Sequence, residues 1–107
     1  YKKEILKWQH MEDQDVKDSL LASEKILSKI DPLTGEWNFK NLEKELIKEA
    51  LRFNLKKGYP EKNRGFLLWP LRVALSGKLA SASPFEIADI YVKEKTLQRI
   101  KEAVKLL

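Results

Sequence analysis

No cysteine occurs in these 107 residues, so a disulfide framework and a thiolate metal site are both excluded. A single histidine, His10, leaves no pair for a His-based metal site or a catalytic triad. No apolar run approaches the roughly 20 residues that span a bilayer, and the first residues lack the ordered regions of a signal peptide. The expectation is one soluble cytoplasmic domain that makes no membrane contact and behaves as a monomer. The motif inventory is equally bare. There is no Gly-x-x-x-x-Gly-Lys, no Gly-x-Gly-x-x-Gly and no paired histidines. The many carboxylates fall on helix surfaces and caps. No catalytic residue, cofactor site or metal ligand is therefore expected, and the chain reads as one that binds.

What is present is positive charge, unevenly placed. The net charge is +5, and the stretch from Lys56 to Lys78 carries all of it. Lys56, Lys57, Lys62, Arg64, Arg72 and Lys78 face one acid there, Glu61, while the remaining residues balance at 15 basic and 15 acidic. A concentrated basic segment in an otherwise neutral chain suits a polyanion such as RNA or DNA. It equally suits an acidic protein partner or a solvated loop.

Helical periodicity runs through most of the chain. Residues 1 to 12 read as an extended lead-in that docks through Ile5, Leu6, Trp8 and Met11. Asp13 and Asp15 suit the positive end of a first helix dipole, and Val16, Leu20, Leu27 and Ile30 follow at helical spacing before Asp31-Pro32. A second helix spans about Phe39 to Lys56. Asn38 is its N-cap, Phe39, Leu42, Leu46, Ala50 and Phe53 its buried stripe, and Gly58 its left-handed cap. The third segment, Asn63 to Ser76, is the most apolar. It contains Pro70, where a helix either restarts or kinks. Ser83-Pro84-Phe85-Glu86 offers a capping box with proline at the first helical position. It opens a short helix to about Tyr91, and a last helix spans about Lys93 to Leu106. With no strand-like alternation, the prediction is an all-α bundle of about five helices with short connections.

Three stretches share a pattern: Phe66 to Gly77 with its Pro70-Leu71-Arg72 and Ala74-Leu75-Ser76-Gly77; Pro84-Phe85-Glu86-Ile87; and Lys93-Glu94-Lys95-Thr96-Leu97-Gln98-Arg99-Ile100. In order and spacing they resemble the C-terminal anticodon-binding region of bacterial-type glutamyl-tRNA synthetases; residues 1 to 65 match more loosely. The resemblance implies a helical fragment of a larger class I ligase that recognises the anticodon loop of tRNA. The ATP- and magnesium-using catalytic half, with its two nucleotide signatures, would lie outside this chain. Two departures stand out. The family turn usually carries proline where Ala82 stands, and glycine where Val92 stands.

The resemblance also ranks candidate residues. Arg72, taken alone, reads as an inter-helix ion pair, for instance with Glu86; the family's Pro-Leu-Arg arginine contacts an anticodon base. Ser81, Pro84 and Phe85 belong to the turn that would meet unstacked bases, although Phe85 is equally suited to the core. Lys78 and Arg64 are phosphate candidates. Trp8, Trp37 and Trp69 are assigned to packing. The other readings are a helical protein-interaction module with a basic patch and a general nucleic-acid-binding helical domain.

Overall fold

A computed structural model describes residues 1–107. It holds four α-helices, α1 Asp13–Ser28, α2 Phe39–Lys57, α3 Gly65–Ser76 and α4 Pro84–Lys105, with 3-10 turns at Lys3–Leu6 and Pro32–Thr34. All-α architecture is as the periodicity predicts. The count is four rather than five because the last two helical stretches abut with a single non-helical residue, Val92, between them and form one span, α4.

Local signals set most of the boundaries. Glu12 and Asp15 cap α1 reciprocally, the Glu12 N–H donating to Asp15 Oδ2 at 2.9 Å. Asn38 Oδ1 accepts from the Asn41 N–H at 3.0 Å to open α2. Gly58, at φ 76°, closes α2 in the left-handed conformation that glycine adopts without a Cβ penalty. At α4 the expected reciprocal box forms by half. Ser83 Oγ accepts the Glu86 N–H, and the Glu86 carboxylate takes the Ser83 hydroxyl instead of the backbone N–H, both at 3.2 Å.

Helix α3 is the hub, packing against the other three helices and the N-terminal turn. Phe66, Leu67, Leu71, Val73 and Leu75 are all fully buried; each such side chain is worth about 1.5–3 kcal/mol relative to exposure. The helix starts at Gly65 instead of Asn63 and runs unbroken through Pro70. Proline has no N–H, so the Phe66 carbonyl four residues earlier loses its donor. The buried Ser19 hydroxyl of α1 supplies one at 2.8 Å. The proline is thus tolerated because a neighbouring helix satisfies the orphaned carbonyl.

Other buried polar groups tie loops to helices. Asn54 Nδ2 donates to the carbonyls of Pro60, Glu61 and Asn63 at 2.9–3.2 Å, fixing the loop before α3. Tyr59 from that loop stacks on Phe66, ring centroids 3.8 Å apart. Trp37 Nε1 donates to the Ala88 carbonyl at 2.9 Å. Lys93 Nζ donates to the carbonyls of Ser28 and Ile30, both at 2.8 Å, placing a cation at the negative end of α1. Phe39, expected in the stripe of α2, lies at its rim, 37% exposed, because it is the first residue of the helix.

Val92 stands at φ 59°, ψ 174° inside α4. That region belongs to glycine, and here a β-branched residue occupies it with its side chain exposed. The chain turns at this residue, so the second half of α4 leaves in a direction of its own.

Candidate nucleic-acid interface

The end of α3, the loop 77–83 and the first turns of α4 form one face. Gly77 makes the turn possible twice over. Its φ of 71° suits glycine, and a Cβ there would crowd the Tyr1 ring at 3.3 Å. A groove of about 320 Å³ opens beyond it. Its walls are Ser76, Lys78, Ala80, Ser81 and Ala82 on the loop side and Ile87, Ile90 and Tyr91 on α4. Apolar and aromatic surface edged by hydroxyls is what an unstacked base requires: a face to lie on and groups to read its rim.

Arg72 stands behind the loop wall of this groove. Its guanidinium lies 4.7 Å from the centroid of the Trp69 ring and donates through Nη2 to the Leu79 carbonyl at 3.1 Å. No carboxylate pairs with it, so the ion pair to Glu86 or another helix acid does not form; the five ion pairs of the chain lie elsewhere. Trp69 is itself held, its Nε1 donating to the Ile5 carbonyl at 3.0 Å. Trp8 packs against Trp69 at 5.2 Å and donates to Asn63 Oδ1 at 3.0 Å. Trp37 is a core residue, whereas Trp8 and Trp69 are half-buried and build the platform that holds an unpaired cation.

The remaining candidates divide. Lys78 is exposed at the groove rim, and Ser81 is half-exposed, its hydroxyl donating to the Ala82 carbonyl at 2.9 Å. Pro84 and Phe85 are buried; Phe85 is 8% exposed, its ring edge-on to Phe39 at 6.0 Å. In this conformation the Phe85 ring supports the turn from beneath. Arg64 is exposed at the far end of α3, whose 12 residues span about 18 Å at about 1.5 Å per residue, so the fold does not bring it together with Lys78. Ile87, Ile90 and Tyr91 join the groove unannounced. Their three- and four-residue spacing marks one helical face, but nothing in that spacing tells an RNA-facing stripe from a core-facing one.

No three His, Cys, Asp or Glu side chains stand close enough to hold a metal ion, and no helix is long and apolar enough to cross a membrane.

Fold and groove together define an all-helical domain of the binding class, with unpaired cations beside a base-sized cleft. The chain belongs to the anticodon binding domain family, whose model matches residues 1–104. It is similar to a glutamate–tRNA ligase of Clostridium botulinum (strain Hall), 44% identical over 91 residues that make up 84% of this chain and 17% of that protein. A glutamate–tRNA ligase of Clostridium kluyveri is 38% identical over 97 residues, 87% of this chain and 18% of that protein. One from Clostridium acetobutylicum is 40% identical over 73 residues, 67% and 14% respectively. The chain thus spans about a sixth of the length of the curated relatives it matches. No solved structure matches it.

Proposed function

We propose that this chain is the anticodon-binding part of a glutamate–tRNA ligase, and that its groove takes a base of the anticodon loop. The observation that carries the reading is Arg72. A bridging arginine would be neutralised; this one is held on an indole and on the Leu79 carbonyl without a carboxylate, tied to the loop whose Lys78 and Ala80 line the cleft. Similarity to the clostridial glutamate–tRNA ligases supports the same partner. In this reading Ser81 faces the base from the groove wall, Arg72 reaches it from behind the loop, Pro84 and Phe85 shape the turn, and Lys78 meets phosphate, with Arg64 too distant to serve the same nucleotide. The ATP and magnesium of charging belong to the rest of such a ligase. This chain contributes affinity and base choice, in the cytoplasm and as a monomer.

Arg72→Ala tests this. Loss of a base contact costs about 1–3 kcal/mol on a cognate tRNA and much less on a tRNA altered at the contacted base. Lys78→Ala weakens both alike, because phosphate contacts carry no sequence information. Equal losses on both tRNAs for Arg72→Ala, with a lowered melting temperature, reduce Arg72 to a brace for the loop. Competition completes the test. Unlabelled tRNA displaces the bound probe and duplex DNA does not, whereas a protein-interaction module responds to neither and a general nucleic-acid binder to both.

A further inference from the structure

We propose that Tyr91, Lys95 and Arg99 form a second contact strip on α4, which takes the sugar–phosphate strand leaving the base in the groove. The inference rests on the RNA-binding reading and adds a site to it. Tyr91 joins the two, since it lines the groove opposite Ser81 and is also covered by cations. Lys95 Nζ stands 4.1 Å from its ring centroid and Arg99 Cζ 5.8 Å. Neither cation is in an ion pair. A cation over a ring keeps its full charge while its side chain is ordered, so a phosphate meets a preset donor.

The break at Val92 makes this arrangement. Tyr91 ends the first half of α4, and Lys95 and Arg99 belong to the first turns of the second, folded back over the ring. A shallow depression of about 510 Å³ runs along them from Val92 to Glu102. Its acids, Glu94 and Glu102, lie with Gln98 at four-residue spacing, a stripe about 100° around the helix from Lys95 and Arg99. The strip therefore has a cationic side that meets the groove at Tyr91 and an acidic edge that confines a polyanion to that side. Tyr1 stands at the same place: its phenol is held above the ordinary value first by burial and then by the Glu102 carboxylate, with Arg99 opposing. Two cations free of ion pairs, on the ring that also lines the groove, fit the backbone of single-stranded RNA.

The test is binding of a labelled anticodon stem-loop RNA to this 107-residue chain across a salt series. Lys95→Gln with Arg99→Gln should weaken binding several-fold at moderate salt and flatten the slope of log affinity against log salt by about 1–1.5. The loss should be the same for a stem-loop with a changed anticodon base. Lys95→Arg with Arg99→Lys should keep the slope. If the double glutamine variant binds with unchanged affinity and slope while Lys78→Ala weakens binding, the strip is refuted and the groove stands. If the double variant only melts earlier, the cations serve helix packing and the proposal fails. If the unaltered chain prefers stem-loop RNA no more than duplex DNA, the anticodon reading fails and takes the strip with it.

Discussion

Replacing Val92 by glycine should stabilise this domain relative to replacing it by alanine, the reverse of the usual order in a helix. The backbone at Val92 sits at φ 59°, ψ 174°, a conformation that costs a residue with a Cβ about 1–3 kcal/mol. Valine and alanine both bear that cost. The side chain is 55% exposed, so truncation to alanine gives up less than about 1 kcal/mol of burial. Glycine removes the clash but brings an unfolded-state entropy penalty of about 0.5–1 kcal/mol. The balance favours Val92→Gly over Val92→Ala by about 1 kcal/mol. At an ordinary helical site alanine leads by a similar amount. For a domain of this size the difference is worth about 4–8 °C in melting temperature, readable by circular dichroism during heating and in urea. Equal stability, or a more stable alanine variant, would falsify the turn at Val92, and with it the folding of Lys95 and Arg99 over Tyr91. The glycine usual at this place in the resembling synthetases is what such a backbone asks for.

Two further perturbations probe the supports of the interface. A Cβ at Gly65 would overlap the Trp8 indole, so Gly65→Ala should destabilise by about 1–3 kcal/mol and move Trp8 off Trp69, shifting the tryptophan fluorescence maximum; an unshifted spectrum would break the link from Trp8 to Arg72. The second concerns pH. Lys57 Nζ reaches Asp18 Oδ2 at 2.6 Å and Asp15 Oδ1 at 3.2 Å. The hydrogen bond from Lys57 holds the Asp18 carboxyl below its ordinary 3.8, and the Glu12 N–H does the same first for Asp15, with Lys57 adding to it. Their stabilisation is therefore present above pH 3.8 and lost as pH falls through the lowered folded-state values. Lys57, raised above 10.5 chiefly by Asp18, contributes below that value and loses its share as pH climbs past its folded-state value. Lys57→Met should lower stability near neutrality by about 1 kcal/mol, the scale of a half-exposed pair, and shrink the loss as pH falls below 3.8. An unchanged acid limb in urea titrations would show that the pair does not matter.

Much of this fold is written in signals that act within four residues. Asn38 caps α2 through its own near neighbour, Gly58 turns the chain by lacking a Cβ, and Ser83-Pro84 starts α4 because both residues suit its first turn. Apolar spacing chose the buried faces for the same reason: a helix's period depends on its own backbone alone. The basic excess between Lys56 and Lys78 and the order of the Pro70-Leu71-Arg72 and Pro84-Phe85-Glu86 stretches are likewise properties of the sequence alone. Packing decided the rest. Pro70 in mid-helix looked like a restart or a kink; Ser19, 47 positions before Phe66, keeps the helix whole by serving the Phe66 carbonyl. Phe85 suited a base or the core equally until Phe39 closed over it. Arg72 could have sought a carboxylate, and its actual neighbours, Trp69 and the Leu79 carbonyl, were fixed by where Trp8, Ile5 and the loop after Gly77 came to rest. Tyr91 read as a helix end and became the hinge between groove and cationic strip. Those pairings join residues from separate elements, and which surfaces meet is settled only when all four helices share one core.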